Sequence, residues 1–165
     1  MTLRVLEQFM FDAERAFEEH LFLEGKGYLE DALAEEPTYG KAHNHLGWLY
    51  LYHLNDLEKA ERHLKLALKY TTNYKAPYIH MSTLLFDLGK FAECELILGQ
   101  AEQVPGVDKS FIFNEYGRLN EIKGLYSTAI KSYKNAIKWS LNEHEIAIAK
   151  DNIKRCRNKR WIFMF

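Results

Sequence analysis

The chain has few of the residues that would interrupt or cross-link it. Only three prolines occur in 165 residues, Pro37, Pro77 and Pro105, and each falls between segments of helical pattern. There a missing N–H and a fixed φ do least harm. There are two cysteines, Cys94 and Cys156, without CxxC pairing, so neither a disulfide framework nor a redox motif is indicated. No run of 18 apolar residues exists, so the sequence contains no spanning segment. The N-terminus lacks the basic start and unbroken apolar stretch of a signal peptide, because Glu7 and Asp12 interrupt it. A reducing, cytoplasmic setting is the expectation. With 47% apolar and 14% aromatic residues the chain has ample material for a core, which excludes disorder as its dominant state.

What the chain does have is a period. Gly47, Ser82 and Gly117 are spaced by 35 residues; Ala60, Cys94 and Ala129 form a second series, and Ala67, Ala101 and Ala136 a third. A small residue returning every 34 or 35 positions marks stacked helix hairpins, each unable to bury its apolar face alone. Within each copy a first helix carries the small residue at its middle, in HLGWLY, HMSTLL and EYGRLN. A turn follows at Asn55-Asp56, Gly89-Lys90 or Gly124-Leu125. The second helix then reads small, large, small: Ala60-Leu64-Ala67, Cys94-Leu98-Ala101, Ala129-Tyr133-Ala136. Spacings of four and three put these three on one face. Two helices approach closely only where bulk is absent, so Gly47 and Gly117 are expected at the crossing, with Leu64 and Tyr133 filling the space beside them. Cys94, in a small-residue series, is expected to be a buried thiol.

This pattern resembles the tetratricopeptide repeat family over roughly residues 40–140. The first copy carries His43, Leu46-Gly47, Tyr50, Leu57, Ala60, Leu64 and Ala67; the last carries Phe113, Tyr116-Gly117, Gly124, Tyr126, Ala129, Tyr133 and Ala136. The middle copy departs at Ser82 and Cys94 but keeps Tyr78, Gly89, Phe91, Ala101 and Pro105. The expected architecture is therefore all-α, a right-handed superhelical solenoid of antiparallel hairpins forming a single domain over 1–160. Repeats are expected at 40–73, 75–107 and 110–142, with a degenerate one at 3–39, whose Leu29, Ala32 and Pro37 echo a repeat end. A capping helix over 143–157 and an apolar tail, 161–165, complete the reading.

In that family first helices line a concave groove. The resemblance implies that Lys41, Asn44, His45, Trp48 and Tyr52, then Ile79, His80, Thr83 and Asp87, then Asn114, Glu115, Arg118 and Glu121 face it. Aromatic and hydrogen-bonding side chains so arranged suit an extended peptide or partner helix. Asn44, His45, Trp48, Tyr52, His80, Thr83, Asn114 and Arg118 are the candidate binding residues, though packing of Trp48 and Tyr52 on a neighbouring repeat explains those two equally well. The family's carboxylate clamp for chaperone tails is absent, since Asn44, Trp48, His80, Phe111 and Glu115 occupy its positions.

No phosphate loop, nucleophile elbow or paired carboxylate stands out, and the seven histidines show no third ligand at metal-binding spacing. The expectation is a non-catalytic protein-binding scaffold or adaptor without cofactor or metal. Charge is unevenly spread. Residues 1–40 hold ten acidic and three basic side chains, and residues 131–165 nine basic and three acidic. The basic run from Lys150 to Arg160 carries no nucleic-acid motif, and the whole chain has pI near 6.7, so no nucleic-acid partner is expected. The alternative reading is a self-associating module joined by these opposite charges and by Trp161, Ile162, Phe163 and Phe165. That tail could instead fold back on the last repeat or touch a membrane surface beside the basic run.

Overall fold

The computed structural model describes residues 2–162, Thr2 by its backbone only. Among the described residues there are nine α-helices and no strands, the all-α hairpin class that the period predicts. They are α1 (Thr2–Glu18), α2 (Phe22–Glu35), α3 (Gly40–Tyr52), α4 (Leu57–Tyr70), α5 (Ala76–Asp87), α6 (Phe91–Ala101), α7 (Lys109–Ile122), α8 (Tyr126–Trp139) and α9 (Glu143–Ile162). The chain divides into two compact units, Met1–Gly89 and Lys90–Phe165.

In the first unit α1 packs on α2 and α3 on α4. Gly47 is where α3 meets α4: a Cβ there would lie 2.6 Å from Cγ and Cδ2 of Leu64. Ala60, Leu64 and Ala67 are fully buried on the inward face of α4. The α1–α2 hairpin uses the same device with the roles exchanged. Its glycine, Gly25, sits on α2, directly under the ring of Phe17 of α1. Gly25, Leu29 and Ala32 are the buried set of α2, 35 residues before Ala60, Leu64 and Ala67.

In the second unit α7 packs on α8 and α8 on α9. A Cβ at Gly117 would come within 2.5 Å of the Tyr133 ring. Ala129, Tyr133, Ile153 and Cys156 form a buried cluster, flanked by Tyr126, Ile130 and Ile137. Cys94 is completely buried on α6, as its place in the small-residue series requires.

The hairpin turns repeat as well. His20, Asn55, Gly89 and Gly124, spaced 35, 34 and 35, all have positive φ of 51–73°. Left-handed backbone ends a helix and lets the following amide reach back into its last turn, as Leu21, Asp56 and Leu125 do to the carbonyls of Ala16, Tyr50 and Asn120. Glycine takes this conformation without strain; asparagine and histidine bear a small cost. Asp56 caps α4 by accepting from the Lys59 amide at 3.0 Å, and Asp108 caps α7 from the Ser110 amide at 2.8 Å.

Candidate functional site

The first unit carries a cleft of about 270 Å³ lined by Glu7, Met10, Phe11 and Glu14 of α1, Tyr39, Lys41 and His45 around the start of α3, and Tyr74 before α5. A second hollow shares Tyr39, Lys41 and Tyr74 with it. Helical spacing makes the α1 wall: positions 7, 11 and 14 fall on one stripe. His45 links the two walls. Its Nδ1 meets the Lys41 carbonyl at 2.9 Å and its Nε2 lies 3.3 Å from the Glu14 carboxylate, an ion pair when the ring carries both protons.

Farther along α3, Tyr52 is 47% exposed and sets its ring edge-on against His80 of α5, centroids 5.7 Å apart. His80 is enclosed enough that burial, then the proximity of His45, pushes its pKa down to about 4. Its Nδ1 is buried without a hydrogen-bond partner, as is Oδ1 of Asn44. Asn44 itself is 3% exposed and donates from Nδ2 to the Tyr74 hydroxyl at 3.2 Å. It therefore holds the cleft wall from behind.

Trp48 is also packed. Its ring lies 5.2 Å from Phe17 and 4.6 Å from His53, and His53 stacks on Phe22 at 4.0 Å. This aromatic cluster joins α1, α2 and α3. Thr83 donates its hydroxyl to the Ile79 carbonyl at 3.1 Å.

Asn114 and Arg118 belong to the second unit and converge on one carboxylate. Asn114 donates to Glu115 Oε1 at 3.2 Å and Arg118 to Oε2 at 2.7 Å, with Glu115 only 2% exposed. Glu121, read from the sequence as facing a groove, is buried instead. It accepts two bonds of 2.7 Å from Arg155, one of 2.9 Å from Lys159 and one of 3.0 Å from the Tyr133 hydroxyl. The Arg155 bonds hold its carboxyl down to about 2. Two cations of the C-terminal basic run are thus committed to fastening α9. A hollow of about 140 Å³ beside Asn114 is bordered by Ser110, Ser140 and Glu145, whose carboxylate accepts from both hydroxyls.

The remaining histidine pair is structural. His43 Nε2 donates to the Pro37 carbonyl at 3.0 Å, so its Nδ1 accepts from His63 Nδ1, also at 3.0 Å. Burial, then the neighbouring His43, pushes His63 down to about 4. Among the described residues no three His, Cys, Asp or Glu side chains gather as a metal group. Burial lifts both thiols to about 11. No helix of the described residues is long and apolar enough to cross a membrane. Trp161 and Ile162 form the last turn of α9 and are 69% and 66% exposed, so they do not seal the last hairpin; Phe163 and Phe165 lie outside the described residues.

Sequence reasoning did not find Glu7, Phe11, Glu14 or Tyr74. The α1 stripe was legible as a helical face, but α1 lacks the Leu-Gly signature that places a first helix in the repeat.

The architecture has close counterparts among solved structures. MamA aligns over 94% of this chain and 82% of its own, with a TM-score of 0.79 and 15% identity. YrrB, a TPR protein with an unusual peptide-binding site, aligns over 97% and 84%, with a TM-score of 0.75 and 12% identity. A thermophilic TPR protein of Thermus thermophilus, TTC0263, aligns over 94% and 81%, with a TM-score of 0.65 and 19% identity. No curated protein matches by sequence. Residues 40–74 match the Tetratricopeptide repeat family profile. The chain carries the family's signature in α3 and α4, and over its described residues it shares the fold of tetratricopeptide repeat proteins. Proteins of this fold generally mediate protein–protein interactions.

Proposed function

We propose that the protein is a non-catalytic scaffold that holds a peptide or protein segment in the cleft of its first unit. The observation that carries this reading is the α3 face itself. There His45 and the half-exposed Tyr52 stand over a packed layer of Trp48, Asn44 and His80, so the contact residues sit on a rigid base. Rigid aromatic anchors beside charged groups suit the capture of a segment by its side chains. The fold shared with YrrB supports the reading, since that protein has a peptide-binding site. His45 and Tyr52 are the principal contacts. Thr83 contributes less, because its hydroxyl is bonded to its own helix, and Asn114 and Arg118 belong to the second unit and are not counted in this cleft.

The test is retention of partners from source-cell lysate by wild type and by a His45→Ala/Tyr52→Ala variant, folded by circular dichroism. Losing two such anchors is expected to weaken binding roughly tenfold to thirtyfold, about 1.4–2 kcal/mol. A partner kept by wild type and by a Lys65→Ala control on α4, but lost by the double variant, supports the cleft. Equal retention by all three removes it.

A further inference from the structure

We propose that α9 of one copy docks antiparallel on α1 of another, joining copies of this chain through complementary helical stripes. The stripe on α1 is Leu3, Glu7, Phe11 and Glu14, all exposed, Leu3 and Phe11 by 64% and 60%. The stripe on α9 is Lys150, Lys154, Arg157 and Trp161, also exposed, Trp161 by 69%. Each runs at spacings of three and four, so each occupies one side of its helix over about 16 Å.

Laid antiparallel, the two stripes agree residue by residue. Trp161 falls opposite Leu3, Arg157 opposite Glu7, the stem of Lys154 over Phe11, and Lys150 opposite Glu14. Apolar meets apolar at one end, and two cations meet two carboxylates along the rest. Parallel docking would set Lys150 against Leu3 and Trp161 against Glu14. The register thus selects one orientation. Two exposed acids share the outward side of α9: Asp151 beside Lys150, and Glu143, which lies on the line of the stripe but beyond its end.

The buried side of α9 determines that this stripe faces outward. Glu121 holds Arg155 and Lys159, while Asn152, Ile153 and Cys156 are buried, so rotation about the helix axis is fixed. Lys150, Lys154 and Arg157 are left outside, without an ion pair among the described residues. Complementary charge over the surrounding segments, −7 in residues 1–40 and +6 in residues 131–165, adds long-range attraction between copies.

Because Glu7, Phe11 and Glu14 also line the cleft, the association shares a wall with the proposed peptide site. The α9 side does not, and this separates the two readings. Sedimentation velocity would follow wild type, Glu7→Lys/Glu14→Lys, Lys150→Glu/Arg157→Glu and an equimolar mixture of the two variants. At about 20 mM salt wild type is expected above the 19.4 kDa monomer mass, returning toward it at about 0.5 M as the charges are screened. Each variant alone should associate at least tenfold more weakly. The mixture should regain wild-type association, because reversed α1 then meets reversed α9. That rescue also proves both variants folded. The α9 variant keeps lysate partners held by the cleft, so loss of self-association there leaves the cleft reading standing.

Wild type that stays monomeric at low salt overturns the proposal, as does undiminished association of either variant alone or a mixture without rescue. Wild type that binds anionic phospholipid vesicles while remaining monomeric overturns it in favour of a lipid surface as the occupant of α9.

Discussion

Glycine shows how far a residue's role depends on what it faces. Replacing glycine by alanine inside a helix gains up to about 1 kcal/mol of helix propensity when the new methyl has room. Gly27 of α2 has nothing within 4 Å of its would-be Cβ, so Gly27→Ala is expected to stabilise by about 0.5–1 kcal/mol. At Gly117 the same methyl lands 2.5 Å from the ring of Tyr133, which is fully buried and tied by its hydroxyl to Glu121. Neither partner can yield, and overpacking of this kind costs about 1–3 kcal/mol. Gly117→Ala is therefore expected to destabilise. Urea midpoints of the two variants should move in opposite directions, and movement in the same direction refutes the packing argument. The sequence already marked Gly117 through its period. Gly25 also falls on the period, 35 residues before Ala60, but the period did not reveal that in the first hairpin the glycine and the bulky ring change helices.

At the scale of the element, α9 is more than an amphipathic cover. Its inward face is apolar at Ala149, Ile153 and Cys156, but its attachment to α7 is ionic, through Glu121, Arg155 and Lys159. The carboxylate is buried while the two cations are nearly half exposed, so removing one side is not equivalent to removing the other. Glu121→Gln frees cations that can turn to water and should cost about 1–2 kcal/mol. Arg155→Met strands most of a buried negative charge and should cost more, about 2–4 kcal/mol. The variant should also raise the Glu121 pKa, because the Arg155 bonds are its largest support. With the carboxyl held near 2 in the folded protein and ordinary when unfolded, this contribution is complete above about pH 4.5 and fades only as pH falls toward 2. Denaturant unfolding of the two variants at pH 7 checks the order, and a larger loss for Glu121→Gln contradicts it. From sequence alone Arg155 and Lys159 were two cations in a basic run; nothing in their spacing named a carboxylate 34 residues away as their partner.

For the molecule as a whole the clearest consequence is acid sensitivity seated in the first unit. His63 and His80 are held near 4 by burial, and burial also lowers His43. Their folded values lie below the ordinary value of 6.5, so the unfolded chain takes up more protons between pH 6.5 and 4. Stability from these residues is complete above pH 6.5 and is lost as pH falls toward 4. From pH 7 to 5 each of the two lowest is expected to cost on the order of 2 kcal/mol, a large share of a typical domain's total. His63→Gln, which keeps a donor for His43 Nδ1, should flatten the urea-midpoint profile over that range; an unchanged slope refutes the assignment. The sequence by itself determined the fold class, the hairpin turns at Asn55, Gly89 and Gly124, and the buried small-large-small faces. These follow from local periodicity and from the volumes of residues at fixed spacing. Only the tertiary structure decided which polar residues remain outside. It withdrew Asn44, Glu115 and Glu121 into the protein, packed Trp48 under an aromatic cluster, and brought Glu14 of α1 to His45 of α3. Periodicity fixes which side of a helix faces its partner, but the pairing of polar groups between helices depends on distances that exist only once the hairpins have packed.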